Sequence, residues 1–103
     1  MKDKTYHLFF SNLSNPLRIK IISSLEKKDK SVSELVSELK VEQSKISHAL
    51  RSLRNCNIVE VTQEGKNRIY SLNKKTIVPM LKLIDTHAKS FCKGNCAMCG
   101  GCR

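Results

Sequence analysis

Four cysteines stand close together as Cys92-x3-Cys96-x2-Cys99-x2-Cys102 in the stretch CKGNCAMCGGCR. Thiolates two or three residues apart can gather round one soft ion at the ~2.3 Å Zn–S distance, in a tetrahedral set. Gly94, Gly100 and Gly101 let the backbone wrap closely, and Lys93 and Arg103 offset part of the negative charge. Four thiolates fit zinc or cadmium, and three of the four suit arsenite. An iron–sulfur cluster is a further candidate, although this order reverses the usual C-x2-C-x2-C-x3-C spacing and lacks its proline. Soft ligands exclude only hard ions such as magnesium and calcium. A thiol redox switch and an incidental set of thiols are the competing readings. Cys96-x-x-Cys99 also has the spacing of a thiol–disulfide oxidoreductase, but no βαβ pattern surrounds it, so no enzyme is expected.

A second group carries recognition chemistry rather than ligation. Gln43, Ser44, Lys45, Ser47, His48 and Arg51 fall on one side of a helical pattern whose other side is Ile46, Leu50 and Leu53. Gln can pair with both adenine edge groups and Arg with guanine O6 and N7, while Ser, Lys and His hold phosphates or base edges. Arg51 lies two turns in, where backbone is within easier reach than bases. Lys66 and Arg68, in a β-prone segment, are placed to track phosphates or probe a minor groove. The bland alternative is a set of ordinary solvated residues.

The elements that must position these side chains follow from periodicity. Tyr6, Phe9, Phe10 and Leu13 recur at helical spacing until Ser14-Asn15-Pro16, where a cap residue followed by proline starts a second helix. Leu17, Ile21 and Leu25 form its buried stripe, and Lys27 to Lys30 end it in a charged turn. Ser31-Val-Ser-Glu34 has the form of a capping box opening a short third helix through Leu35, Val36 and Leu39. After a tight connection at Lys40-Val41, a fourth helix runs from about Glu42 to Arg54, and this pair is a helix-turn-helix. Asn57 supplies the left-handed residue that closes it. Ile58 to Thr62 and Arg68 to Leu72 are β-prone runs flanking the glycine-bearing loop 63–67, a hairpin wing. Ile77, Met80, Leu81, Ile84, Ala88 and Phe91 stripe a last helix, with Pro79 tolerable only in its first turn. The expected class is mainly α with a β-hairpin wing.

Nineteen Lys and Arg against nine Asp and Glu give 103 residues a net charge of +10. Residues 1–30, 41–75 and 76–103 are each net basic, so no single tail carries the excess. Nucleic acid is the leading partner on that charge, with a merely basic, metal-buffering or protein-interaction module as the alternative. So small a chain buries modest core, which makes oligomerisation or a bound metal useful. No apolar run approaches a membrane span, and Met1 to Tyr6 leads into no signal-peptide core, so a cytoplasmic location is expected and the cysteines read as thiols or ligands.

Three segments together resemble the ArsR/SmtB family of winged helix-turn-helix repressors. They are Leu13-Ser-Asn-Pro-Leu-Arg-Ile-Lys-Ile, Gln43-Ser-Lys-Ile-Ser-His-Ala-Leu-Arg-Ser-Leu-Arg, and Ile58-Val with the Gly65 hairpin. The resemblance covers roughly residues 5–91. It implies a homodimer, paired through its first and last helices, that binds an operator palindrome in double-stranded DNA and releases it when a metal or metalloid binds. Together with the compositional break after Phe91, where four Cys and three Gly fall within twelve residues, it divides the chain into a DNA-binding and dimerisation domain, 1–91, and a Cys-rich metal-binding tail, 92–103. The family's arsenic-type cysteine pair would fall within Ser33 to Leu39, which contains no Cys. Its zinc-type site begins with an Asp-x-His pair, matched by Asp85-Thr-His87, but the complementary ligands would fall near Met98 and Gly101 and are missing. Cys92, Cys96, Cys99 and Cys102 are thus the expected sensor. Cys56 stands where the family has a small residue and is expected to be a buried small hydrophobe.

Overall fold

The computed structural model describes residues 3–91. Its elements are α1 (Asp3–Ser14), α2 (Pro16–Lys27), β1 (Lys30–Ser31), α3 (Val32–Leu39), α4 (Gln43–Asn55), β2 (Val59–Glu64), β3 (Asn67–Leu72) and α5 (Ile77–Phe91). The chain divides into two compact units, one ending at Asn73 and the other beginning at Lys74. No described helix is long and apolar enough to cross a membrane.

In the first unit, every boundary that matters to α4 has a local cause. Asn15 Oδ1 accepts from the backbone N–H groups of Leu17 and Arg18, and Pro16 occupies the first helical position, so α2 starts abruptly after α1. The Ser31–Glu34 capping box forms as its sequence requires, with Ser31 Oγ accepting from the Glu34 N–H and the Glu34 carboxylate from the Ser31 N–H. Only Lys40, Val41 and Glu42 separate α3 from α4, and Lys40 turns the chain with φ 56°. At the far end Asn57 adopts φ 57°. The Ile58 N–H reaches the Leu53 carbonyl and the Asn57 N–H that of Arg54, both at 2.9 Å, a Schellman closure that turns the chain into the wing.

The wing is tighter than its sequence suggests. β2 and β3 pair antiparallel out to Glu64 opposite Asn67, leaving a two-residue turn of Gly65 and Lys66 instead of a five-residue loop. Gly65 has φ +62°, the requirement at the first central position of a type II′ turn. A third strand joins the sheet where a charged turn was expected: Lys30 pairs with Tyr70 and Ser31 with Ile69, giving the order β1-β3-β2. Two residues carry no periodicity, so only the pairing reveals them.

The core lies between the helices and this small sheet. Ile21, Leu25, Leu35, Ile46, Leu50, Leu53, Ile58 and Val59 are buried, with Tyr70 and Leu72 closing it from β3. α4 packs against α2, α3 and β2, so three elements fix it. Lys30 is also buried, at 6% exposure, and its ammonium meets the Ser24 hydroxyl at 2.6 Å and the Glu38 carboxylate. That pairing makes the burial of a lysine tolerable. In the second unit, α5 buries Ile77, keeps Pro79 within its first turn and exposes Leu83, Ile84 and Phe91.

Candidate nucleic-acid interface

The side of α4 turned away from Ile46, Ala49, Leu50 and Leu53 is solvent-facing throughout. Gln43, Ser44, Lys45, Ser47, His48 and Arg51 are all exposed, as are Lys66 at the wing tip and Arg68 on β3. The structure divides six of these eight residues between two concave flanks of the helix. Ser44, Lys45 and His48 line a cavity of about 260 Å³ together with Asn15, Leu17 and Arg18 from the start of α2. Ser47, Arg51 and Arg68 line a second of about 430 Å³, with Val32, Arg54, Asn55 and Tyr70. Gln43, at the first position of α4, and Lys66 line neither.

Arg68 reaches this flank because strand residues alternate. It shares a face of β3 with buried Tyr70 and Leu72, so it hangs from the helix-facing side of the wing. Arg54 and Asn15 were missed as site residues because each already had a local explanation, one as the last turn of a helix and the other as a cap. Their proximity to the exposed face of α4 is tertiary.

The position of α4 is further set by a polar cluster that no motif announces. Asn12 of α1 is buried, and its Nδ2 donates to the Ser52 carbonyl at 3.2 Å and to Cys56 Sγ at 2.9 Å. Arg18 of α2 donates to Asn12 Oδ1 through Nη1 and to Ser52 Oγ at 3.1 Å through Nη2. Three helices therefore meet through hydrogen bonds at the last turns of α4. Cys56 itself is exposed, which corrects the expectation of a buried hydrophobe: as the C-cap it sits where the chain leaves the helix.

Electrostatics elsewhere in this unit are structural. Hydrogen bonds from Lys30 and Ser24 hold the Glu38 carboxyl below the ordinary carboxylate range, and the Ser31 backbone N–H does the same for Glu34.

The family model for bacterial regulatory proteins of the arsR family matches residues 15–61, from the cap of α2 through the first half of β2. A solved structure of Mycobacterium tuberculosis Rv0081 superposes with a TM-score of 0.77 at 32% identity, covering 84% of this chain and 88% of that one. The chain belongs to the ArsR/SmtB family. Among curated relatives, the transcriptional repressor SmtB homolog of Synechocystis is 33% identical over 79 residues, which are 77% of this chain and 60% of the relative. HlyU of Vibrio cholerae, at 26% identity and a TM-score of 0.72, matches over 89% of this chain and 99% of that one. The chain spans 60 to 65% of the length of the first curated relatives it matches.

Within this ArsR/SmtB chain, the described residues contain no group of three or more His, Cys, Asp or Glu side chains able to hold a metal. Asp85 and His87 are exposed on α5, and the His87 ring lies 4.8 Å from that of Phe91. Cys92, Cys96, Cys99 and Cys102 lie outside the described residues.

Proposed function

We propose that this chain is a dimeric transcriptional repressor that binds double-stranded operator DNA through α4 and the wing, and whose binding is modulated by a thiophilic ion or cluster. The observation that carries the reading is the exposed polar face of α4 between two basic flanks, in a family of regulatory proteins. Gln43, Ser44, Lys45, Ser47 and His48 contact base edges and phosphates at the N-terminal half of the helix, while Arg51, Lys66 and Arg68 contact backbone.

A second copy of the chain is the partner that the exposed apolar side chains of α1 and α5 fit. Tyr6, Leu8 and Phe10 on α1 are each about half exposed, and Leu83 and Phe91 on α5 reach 70% and 74%. Covering them between two copies would remove the largest exposed apolar groups from water.

For the ion, the donor chemistry of the described residues does not fit, since Asp85 and His87 have no third ligand beside them. Four thiolates from Cys92, Cys96, Cys99 and Cys102 do fit a soft cation or metalloid. Residues 1–91 then form the DNA-binding and dimerising part, and 92–103 the sensing part.

The test is a titration of a duplex carrying the promoter of the protein's own gene, across salt concentrations. Log affinity should fall linearly with log salt, by about 0.9 per phosphate contacted. Gln43→Ala should weaken the operator more than random duplex, by roughly 1 to 3 kcal/mol. Replacing Cys96 and Cys99 by Ser should leave affinity in reducing buffer intact but abolish its response to zinc, cadmium or arsenite. A normal response in that variant would remove the cysteines as the sensor.

A further inference from the structure

The cavity between α4 and the wing holds three arginines and no acid. Ser47, Arg51 and Arg54 lie at i, i+4 and i+7 on one helix face, and Arg68 comes down from the facing side of β3. Among the described residues none of the three guanidinium groups makes an ion pair or a side-chain hydrogen bond, whereas the nearby Arg18 and Lys30 are both engaged. Three like charges round one hollow, with no acidic side chain lining it, focus a positive potential that suits an anion. The remaining polar groups, the Ser47 and Tyr70 hydroxyls and the Asn55 amide, can all donate as well.

We infer that this cavity is a seat for a single phosphate group, and that its occupant is one phosphodiester of the DNA backbone, gripped by Arg51, Arg54 and Arg68 together. Guanidinium forks match the two non-bridging oxygens of a phosphodiester, which accept from more than one donor at once. DNA is the source favoured by position, because the cavity opens beside Ser47 and Arg51 on the face that carries the recognition residues. The inference rests on the DNA-binding reading above and adds Arg54 to it as a contact. It also changes the arithmetic: three arginines serve one phosphate rather than three.

That arithmetic is testable. With the full chain and a duplex bearing its operator, the triple variant Arg51→Gln/Arg54→Gln/Arg68→Gln should make the log–log salt slope shallower by about 1.8, the value for one phosphate in each of the two half-sites a dimer occupies. Three separate contacts in each half-site would change it by about 5.4. Arg54→Gln alone should weaken operator and random duplex by the same factor. Ethylation interference should show one phosphate per half-site whose modification blocks the wild-type protein and is without effect on the triple variant. Thermal melts of the variants should match the wild type, because all three arginines are exposed.

A slope change near about 5.4, or an Arg54→Gln protein indistinguishable from wild type, overturns the shared seat while leaving DNA binding in place. Inorganic phosphate supplies the other arm, read by NMR shifts of the arginine side chains. Saturation by inorganic phosphate with unchanged DNA slopes would make the cavity a free-phosphate site and refute the backbone assignment. A chain that binds no duplex at any salt concentration overturns the functional reading itself, and the backbone assignment with it.

Discussion

Asn12→Ala is the substitution whose effect can be worked most directly from the geometry. The amide is buried and makes three contacts, so truncation removes all of them at once. The bond to the Ser52 carbonyl, at 3.2 Å, is at the long end of the normal range and is worth about 0.5 to 1 kcal/mol net. Sulfur is a weak acceptor, so the contact to Cys56 adds little. The bond accepted from the Arg18 guanidinium is charge-assisted, in a class worth about 1.5 to 3 kcal/mol, and is discounted because Arg18 is only half-buried and water can replace the lost oxygen. The expected loss is about 2 kcal/mol.

Urea denaturation followed by circular dichroism, at one fixed protein concentration because dimerisation would couple to folding, reads this as a shift in midpoint. With a slope of about 1 to 1.5 kcal/mol/M for a chain of this size, the midpoint should fall by about 1.3 to 2 M at unchanged slope. A double-mutant cycle with Arg18→Ala should show coupling of about 1 kcal/mol, since the two side chains act as one unit. A midpoint shift under about 0.3 M, or additive single effects, would refute the claim that this cluster fixes the end of α4.

Acid should destabilise the α3 region. Glu34 and Glu38 both have lowered folded pKa values, so their contribution is complete above the ordinary carboxylate value near 4.3 and is lost as pH falls through the lower folded values. Melting temperature should therefore drop between about pH 5 and pH 3, and Glu38→Gln should flatten that dependence; an equally steep profile in the variant would assign the acid sensitivity elsewhere. At the wing tip, Gly65→Ala meets no neighbour within 4 Å but must hold φ +62°, so it should cost about 1 kcal/mol through backbone strain alone. Gly65→Asn should recover most of that loss, and equal melts for the two variants would remove strain as the cause.

Much of the architecture was legible because it rests on short-range rules. Asn15-Pro16, the Ser31–Glu34 box and Asn57 each announce a helix boundary through their own chemistry, and the structure places all three as expected. The apolar stripe Ile46, Leu50, Leu53 determines which residues of α4 face outward through helical periodicity alone. What escaped were features created by pairing across the chain. Strand β1 exists because Lys30 and Ser31 meet β3, nearly forty residues away, and Lys30 is buried because Ser24 and Glu38 converge on it. The Asn12 cluster joins residues 40 and 44 positions apart, and Arg54 becomes part of a cavity only when the wing folds back. A polar residue in an amphipathic pattern reads as surface until its partners are known.

The inverted character of α1 links that cluster to regulation. Its one fully buried residue is Asn12, Phe9 and Leu13 are half-buried, and Tyr6, Leu8 and Phe10 face solvent, so within one chain the helix relies partly on polar contacts and presents much of its apolar surface outward. A helix serving only its own fold would do the reverse. In the proposed dimer, the outward groups meet the second copy and Asn12 grips the last turns of α4, so α1 touches both the interface and the reading helix. A tilt of α1 must either carry the Ser52 to Cys56 end of α4 with it or break bonds worth about 2 kcal/mol by the reasoning above. Coupling between an effector site and a DNA site typically needs about 1 to 3 kcal/mol, so this one cluster is of the right size to pass a change at the interface to the recognition helix. The end of α4 that it controls carries Arg51 and Arg54, so in the proposed complex the grip on the DNA backbone would depend on the geometry of the dimer.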